Sequence, residues 1–77
     1  MNMKPKTEKQ LRAMSTIRLL IELEMYQDRL PLKLFKLDDK GVWVYHRQDR
    51  TYYPYCKLNE RAMILGALST SYLFSRV

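Results

Sequence analysis

Few side chains in this chain belong to the types that do covalent or metal chemistry, and their spacing decides what they can do. His46 is the single histidine and Cys56 the single cysteine. A thiolate–imidazole pair needs the two within hydrogen-bond reach and a third group to orient the imidazole. Both fall on or beside neighbouring predicted strands, so contact is conceivable, but no orienting group or oxyanion loop accompanies them. The ordinary alternative is a half-buried histidine and a cysteine filling space as a small apolar side chain. Asp38 and Asp39 are adjacent and so aim apart. With Asp49 they offer carboxylates to a cation, yet paired aspartates in a tight turn more often serve the turn itself. No Cys/His spacing fits zinc. With only Gly41 and Gly66 there is no glycine-rich loop to cradle a phosphate. The expectation is a protein that is not an enzyme: no catalytic residue, no cofactor and no metal.

What stands out instead is a cluster of rings and arginines. Trp43, Tyr45, Arg47, Arg50, Tyr52, Tyr53 and Tyr55 fall within 13 residues. Rings interleaved with guanidinium groups suit stacking on bases with contacts to phosphates. They suit a protein interface as well, where Trp, Tyr and Arg are the preferred anchors. The plain structural alternative is that alternate rings are consumed in packing a sheet on a helix. The candidate partner-binding set is Trp43, Tyr45, Arg47, Arg50, Tyr52 and Tyr53. The candidate nucleic-acid set is Lys4, Lys6, Lys9, Arg47, Arg50 and Lys57.

The formal charge is +6, from 14 Lys and Arg against 8 Asp and Glu. Residues 1–12 carry +3 and residues 32–58 another +3, so the excess lies on the N-terminal arm and the middle segment. It favours an acidic protein, a nucleoprotein or nucleic acid as partner. Neither a helix-turn-helix nor an RNP-type sheet motif is present. A membrane ranks last, because both amphipathic helices are needed for a core.

The elements that must position these groups follow from the apolar spacing. Thr7 to Leu30 has the longest helix periodicity. Thr7 with Gln10 forms a capping box, Glu8 suits the positive helix end, and Pro31 stops the helix. One apolar stripe runs Leu11, Met14, Ile17, Ile21, Met25; a second runs Leu19, Leu23, Tyr26, Leu30. The solvated strip is narrow: Glu8, Arg12, Ser15, Arg18, Glu22, Arg29. So wide an apolar surface calls for cover on more than one side. Either the core inside the chain uses all of it, or a homodimer or partner interface does.

Residues 32–37 read as a strand and Asp38–Gly41 as a hairpin turn with Gly in the left-handed position. Val42–Arg47 is the best strand, with Trp43, Tyr45 and Arg47 on one side and Val42, Val44 and His46 on the other. Gln48–Arg50 turns the chain again. Thr51–Tyr55 forms a third strand that Pro54 confines to an edge. Asn59 is the expected N-cap of a C-terminal helix, with Leu58 and Met63 as a staple. Its stripe is Ile64, Leu65, Leu68, Tyr72 and Val77, beside Met63, Ala67 and Phe74. The result is an α+β fold, ordered α-β-β-β-α: a three-stranded antiparallel meander packed with a long N-terminal helix and a C-terminal helix. Residues 1–6 form a flexible basic arm and residues 7–77 one small domain, of a size for which partners or dimerisation are common remedies. There is no run of membrane-spanning length and no secretory signal, and one cysteine makes no internal disulfide. A cytoplasmic setting is therefore expected.

These features point to a small basic binding protein, a regulator or inhibitor working by protein–protein contact through the aromatic and arginine hairpin and the apolar helix surface. Such features suit accessory inhibitors of the phage or plasmid type. Direct RNA or DNA binding through the basic arm and the hairpin is the alternative.

Overall fold

The computed structural model describes residues 4–74. Residues 1–3 of the expected arm, and Val77 of the expected C-terminal stripe, lie outside the described residues. Thr7 opens the first helix as its spacing predicts. Its hydroxyl accepts from the Gln10 N–H at 3.2 Å, and the Gln10 carboxamide oxygen accepts from the Thr7 N–H at 2.9 Å.

The helix does not run on to Leu30. It divides into α1 (Glu8–Arg12) and α2 (Thr16–Gln27). Ser15 caps the second, its hydroxyl accepting from the Arg18 N–H at 3.2 Å. A continuous helix would use the Leu11 and Arg12 carbonyls to hold the N–H groups of Ser15 and Thr16. Here the Arg61 guanidinium takes both carbonyls, at 3.4 and 2.9 Å, and reaches the Thr16 hydroxyl at 3.4 Å. A side chain some 50 residues away thus competes for the acceptors at the break.

Three strands follow: β1 (Phe35–Asp38), β2 (Gly41–His46) and β3 (Thr51–Cys56). They form an antiparallel sheet in the order β1-β2-β3. The C-terminal helix α3 (Arg61–Phe74) completes the expected order of helix, three strands and helix. β1 starts later than residue 32, because the Leu34 and Phe35 N–H groups donate to the Gln27 side-chain oxygen at 2.9 and 3.0 Å. α3 begins at Arg61 rather than behind an Asn59 cap. The Asn59 carbonyl accepts from the Arg61 N–H, while the Glu60 carboxylate accepts from the Lys57 N–H at 2.9 Å. Met63 is exposed, so it closes no buried staple.

The core joins Leu11, Leu19, Leu23 and Tyr26 to Phe35 and Val42 of the sheet and to Ile64, Ala67, Leu68 and Tyr72 of α3. The second predicted helix stripe is therefore the buried one. The first is buried only at its start, where Leu11 joins the core and Met14 packs against it; Ile17, Ile21 and Met25 are 71, 48 and 50 % exposed. At 100° per residue, these three centre opposite Leu19 and Leu23, so α2 has an apolar back as well as an apolar front. Glu22, expected in solvent, is buried instead. Lys6 lies 3.0 Å from its carboxylate, and the Tyr72 hydroxyl donates to the other oxygen at 3.3 Å, which makes the burial tolerable.

Candidate functional site

The ladder fixes which side of the sheet each hairpin residue occupies. Phe35 pairs with Val44 and Val44 with Tyr53; Lys36 pairs with Trp43 and Trp43 with Pro54; Tyr45 pairs with Tyr52. Directly paired residues share a face and neighbours along a strand alternate. Phe35, Val42 and Val44 look toward the helices. Lys36, Trp43, Tyr45, Tyr52 and Pro54 look away from them.

Two turns set that geometry. The Asp38 carboxylate accepts from the N–H groups of Lys40 and Gly41 at 2.9 and 3.1 Å. Gly41 sits at φ 148°, and a methyl there would stand 2.5 Å from the Cys56 carbonyl oxygen. Only glycine passes beneath β3 at this point. At the other end of β2, Arg50 closes the second turn at φ 54°, in the left-handed region.

On the outer face the rings are braced against one another. Tyr45 and Tyr52 meet edge to face at 5.2 Å, and the Lys36 ammonium lies 5.3 Å from the centre of the Tyr52 ring. The Tyr52 hydroxyl donates to the Lys33 carbonyl at 2.7 Å. The Trp43 indole N–H is buried and meets no acceptor at full hydrogen-bond geometry. Its approach to Asp38 is still the largest influence holding that carboxyl below the ordinary aspartate range, ahead of the Lys40 N–H. Arg47 and Arg50 join Tyr45 at one corner of this face, beside Leu32, Leu34 and Phe74.

Five of the six residues expected to meet a partner thus gather on or beside one surface: Trp43, Tyr45, Arg47, Arg50 and Tyr52. Tyr53 belongs to the other face. It packs edge to face on His46 at 4.4 Å, and its hydroxyl donates to the Asp49 carboxylate, which with some desolvation raises the phenol pKa. Tyr55 is spent on packing. A bulge opposite Val42 and Trp43 turns it toward Phe35, with ring centres 5.2 Å apart.

The nucleic-acid set divides. Lys6 is held by Glu22 at the groove between α1 and α3 that Leu65 and Gly66 line. Lys4 and Lys9 belong to the same N-terminal stretch, and Lys57 follows β3; all three are exposed. Arg47 and Arg50 lie by Phe74, about 13 Å further along α3 than Leu65 at the helical rise.

The register also separates His46 from Cys56. His46 pairs with Thr51 and Cys56 with Val42, at opposite ends of the hairpin. His46 is exposed rather than half-buried. Burial, and then Glu60, push the Cys56 thiol pKa up, so the thiol stays protonated at neutral pH. Asp38 and Asp39 sit at one end of β2 and Asp49 at the other. Among the described residues no group of three or more His, Cys, Asp or Glu side chains is placed to hold a metal ion.

Sequence reasoning missed Leu32, Leu34, Lys36 and Phe74 as members of this surface. The available signal was negative: Leu32 fits no strand alternation, and Phe74 stands off the stripe of its helix. Comparison of the chain with protein-family models, with curated proteins and with solved structures finds no match.

Proposed function

We propose that this chain is a non-catalytic binding module, a regulator or inhibitor that engages an acidic protein or nucleoprotein partner through the outer face of its sheet. The observation carrying this reading is the gathering of Trp43, Tyr45 and Tyr52 on the side of the sheet turned away from the helices, with Arg47 and Arg50 beside Tyr45 at one corner. Half-buried rings with exposed arginines at their edge are the composition of an interface centre and its rim. Neither arginine has an ion-pair partner among the described residues.

Nucleic-acid binding ranks second for two reasons. Lys6 is already neutralised by Glu22, and the remaining basic groups lie toward different ends of α3. Affinity capture from lysate, with and without nuclease, separates the two. The protein reading expects nuclease-resistant capture that Trp43→Ala removes while circular dichroism stays unchanged. Capture abolished by nuclease, with binding of a single-stranded oligonucleotide that falls steeply with salt, would replace it with the nucleic-acid reading.

A further inference from the structure

At one corner of the outer sheet face, segments distant in sequence converge. Leu32 and Leu34 come from the loop before β1, Tyr45 from β2, and Phe74 from the last turn of α3. With Arg47 and Arg50 they line an open cleft of about 620 Å³. That is within the roughly 300–1,000 Å³ of sites that seat a defined ligand group. The walls are apolar, with Leu32 55 % and Phe74 59 % exposed. The rim carries two guanidinium groups and no carboxylate.

We infer that this cleft takes a short acidic segment of a partner protein. One aliphatic or aromatic side chain of the segment sits against Leu32, Leu34 and Phe74, and neighbouring carboxylates sit on Arg47 and Arg50. The inference rests on the protein-binding reading above and narrows it to one end of the sheet. Charge and shape both favour a peptide over a nucleic-acid strand here. Phe74 is a single exposed ring among leucines, and the neighbouring rings are engaged, Tyr45 by Tyr52 and Tyr52 by Lys36, so the cleft offers no run of rings for successive bases to stack on. A carboxylate, in contrast, accepts two parallel N–H bonds from a guanidinium.

The peptide is held by its side chains and not as an added strand. The Leu34 carbonyl accepts from the Tyr45 N–H, which sets the alternation by which Phe35 and Leu37 point their backbone groups off the β1 edge. The Gln27 side chain already takes the Phe35 N–H. On β3 the outward-pointing positions are Tyr52 and Pro54, and proline has no N–H to give.

Panning a random-peptide display library against the full chain tests this, followed by anisotropy titration of the synthesised binders. Enriched peptides are expected to carry one Leu, Phe or Met flanked by Asp or Glu. Their affinity should drop about tenfold for Arg47→Gln and again for Arg50→Gly, as for loss of a charge-assisted contact. It should drop comparably for Phe74→Ser, with Leu32→Ser as a second apolar variant at an exposed position. Failure of any peptide to enrich overturns the inference. So does enrichment of neutral or basic peptides, or of peptides that bind the Arg47→Gln/Arg50→Gly chain as tightly as the unaltered one. Nuclease-resistant capture that depends on Trp43 would survive all three results, so the broader reading fails or stands separately.

Discussion

Gln27 shows how much one side chain settles. It is buried, its amide donates to the Ser71 hydroxyl at 2.8 Å, and its oxygen accepts from the Leu34 and Phe35 N–H groups. It therefore ties α2 to α3 and fixes where β1 begins. Gln27→Leu keeps the volume but leaves two backbone donors without an acceptor, so it should cost about 2–4 kcal/mol in urea unfolding. Ser71→Ala, which removes one neutral partner, should cost about 1 kcal/mol. Tyr72 gives a pH signature. Burial first, then the neighbouring Glu22 carboxylate, outweigh a Lys6 backbone hydrogen bond and push its phenol up to about 12 from the usual 10. The unfolded chain loses this proton near 10 while the folded chain holds it to about 12. The stabilisation is complete below pH 10 and is lost as pH rises through about 12. Stability measured against pH in that window should fall less steeply for Tyr72→Phe than for the unaltered chain.

At the scale of elements, Arg61 ties α3 to the break between α1 and α2. Arg61→Ala frees the Leu11 and Arg12 carbonyls and removes the link from α3. Amide exchange over residues 9–13 should quicken while the sheet's protection is unchanged. Equal acceleration throughout would show that the link supports the whole fold instead. The second hairpin turn makes the opposite kind of prediction. An arginine at φ 54° costs about 1 kcal/mol relative to glycine, so Arg50→Gly should hold or slightly raise the unfolding midpoint while removing a rim charge. A drop of more than about 1 kcal/mol would mean that the guanidinium supports the fold. Local chemistry made much of the architecture legible. The Thr7–Gln10 box, the Asp38–Gly41 turn, the alternation in Val42–His46 and the edge position of Pro54 all follow from neighbours in sequence. The α1–α2 break and the burial of Glu22 do not, because Arg61, Lys6 and Tyr72 act from 16 to 50 residues away, and the late start of β1 does not, because a side chain, Gln27, takes the backbone donors of Leu34 and Phe35. The candidate surface divides likewise. The hairpin rings and arginines were visible as a cluster, whereas Leu32 and Phe74 join them only through the fold.

At the scale of the molecule, Ile17, Ile21 and Met25 give the back of α2 an exposed apolar surface of its own, away from the sheet. Among the described residues no helix is long and apolar enough to cross a membrane. The width of this helix raised the prospect of a second copy packed along it. Area decides against that surface acting alone. Three partly exposed side chains reach at most the low end of the roughly 300–600 Å² patch that ordinary monomers carry. A standard stable interface needs about 800 Å² from each partner. The chain should therefore sediment as a monomer at micromolar concentration. Ile17→Ser with Ile21→Ser should shift unfolding by no more than about 0.5 kcal/mol per site, because little apolar area returns to water. Leu23→Ala, on the opposite side of the same helix and fully buried, should cost about 2–5 kcal/mol. A dimer that Ile21→Lys dissociates would reverse this conclusion and make the back of α2, together with surface recruited around it, the place where two copies meet.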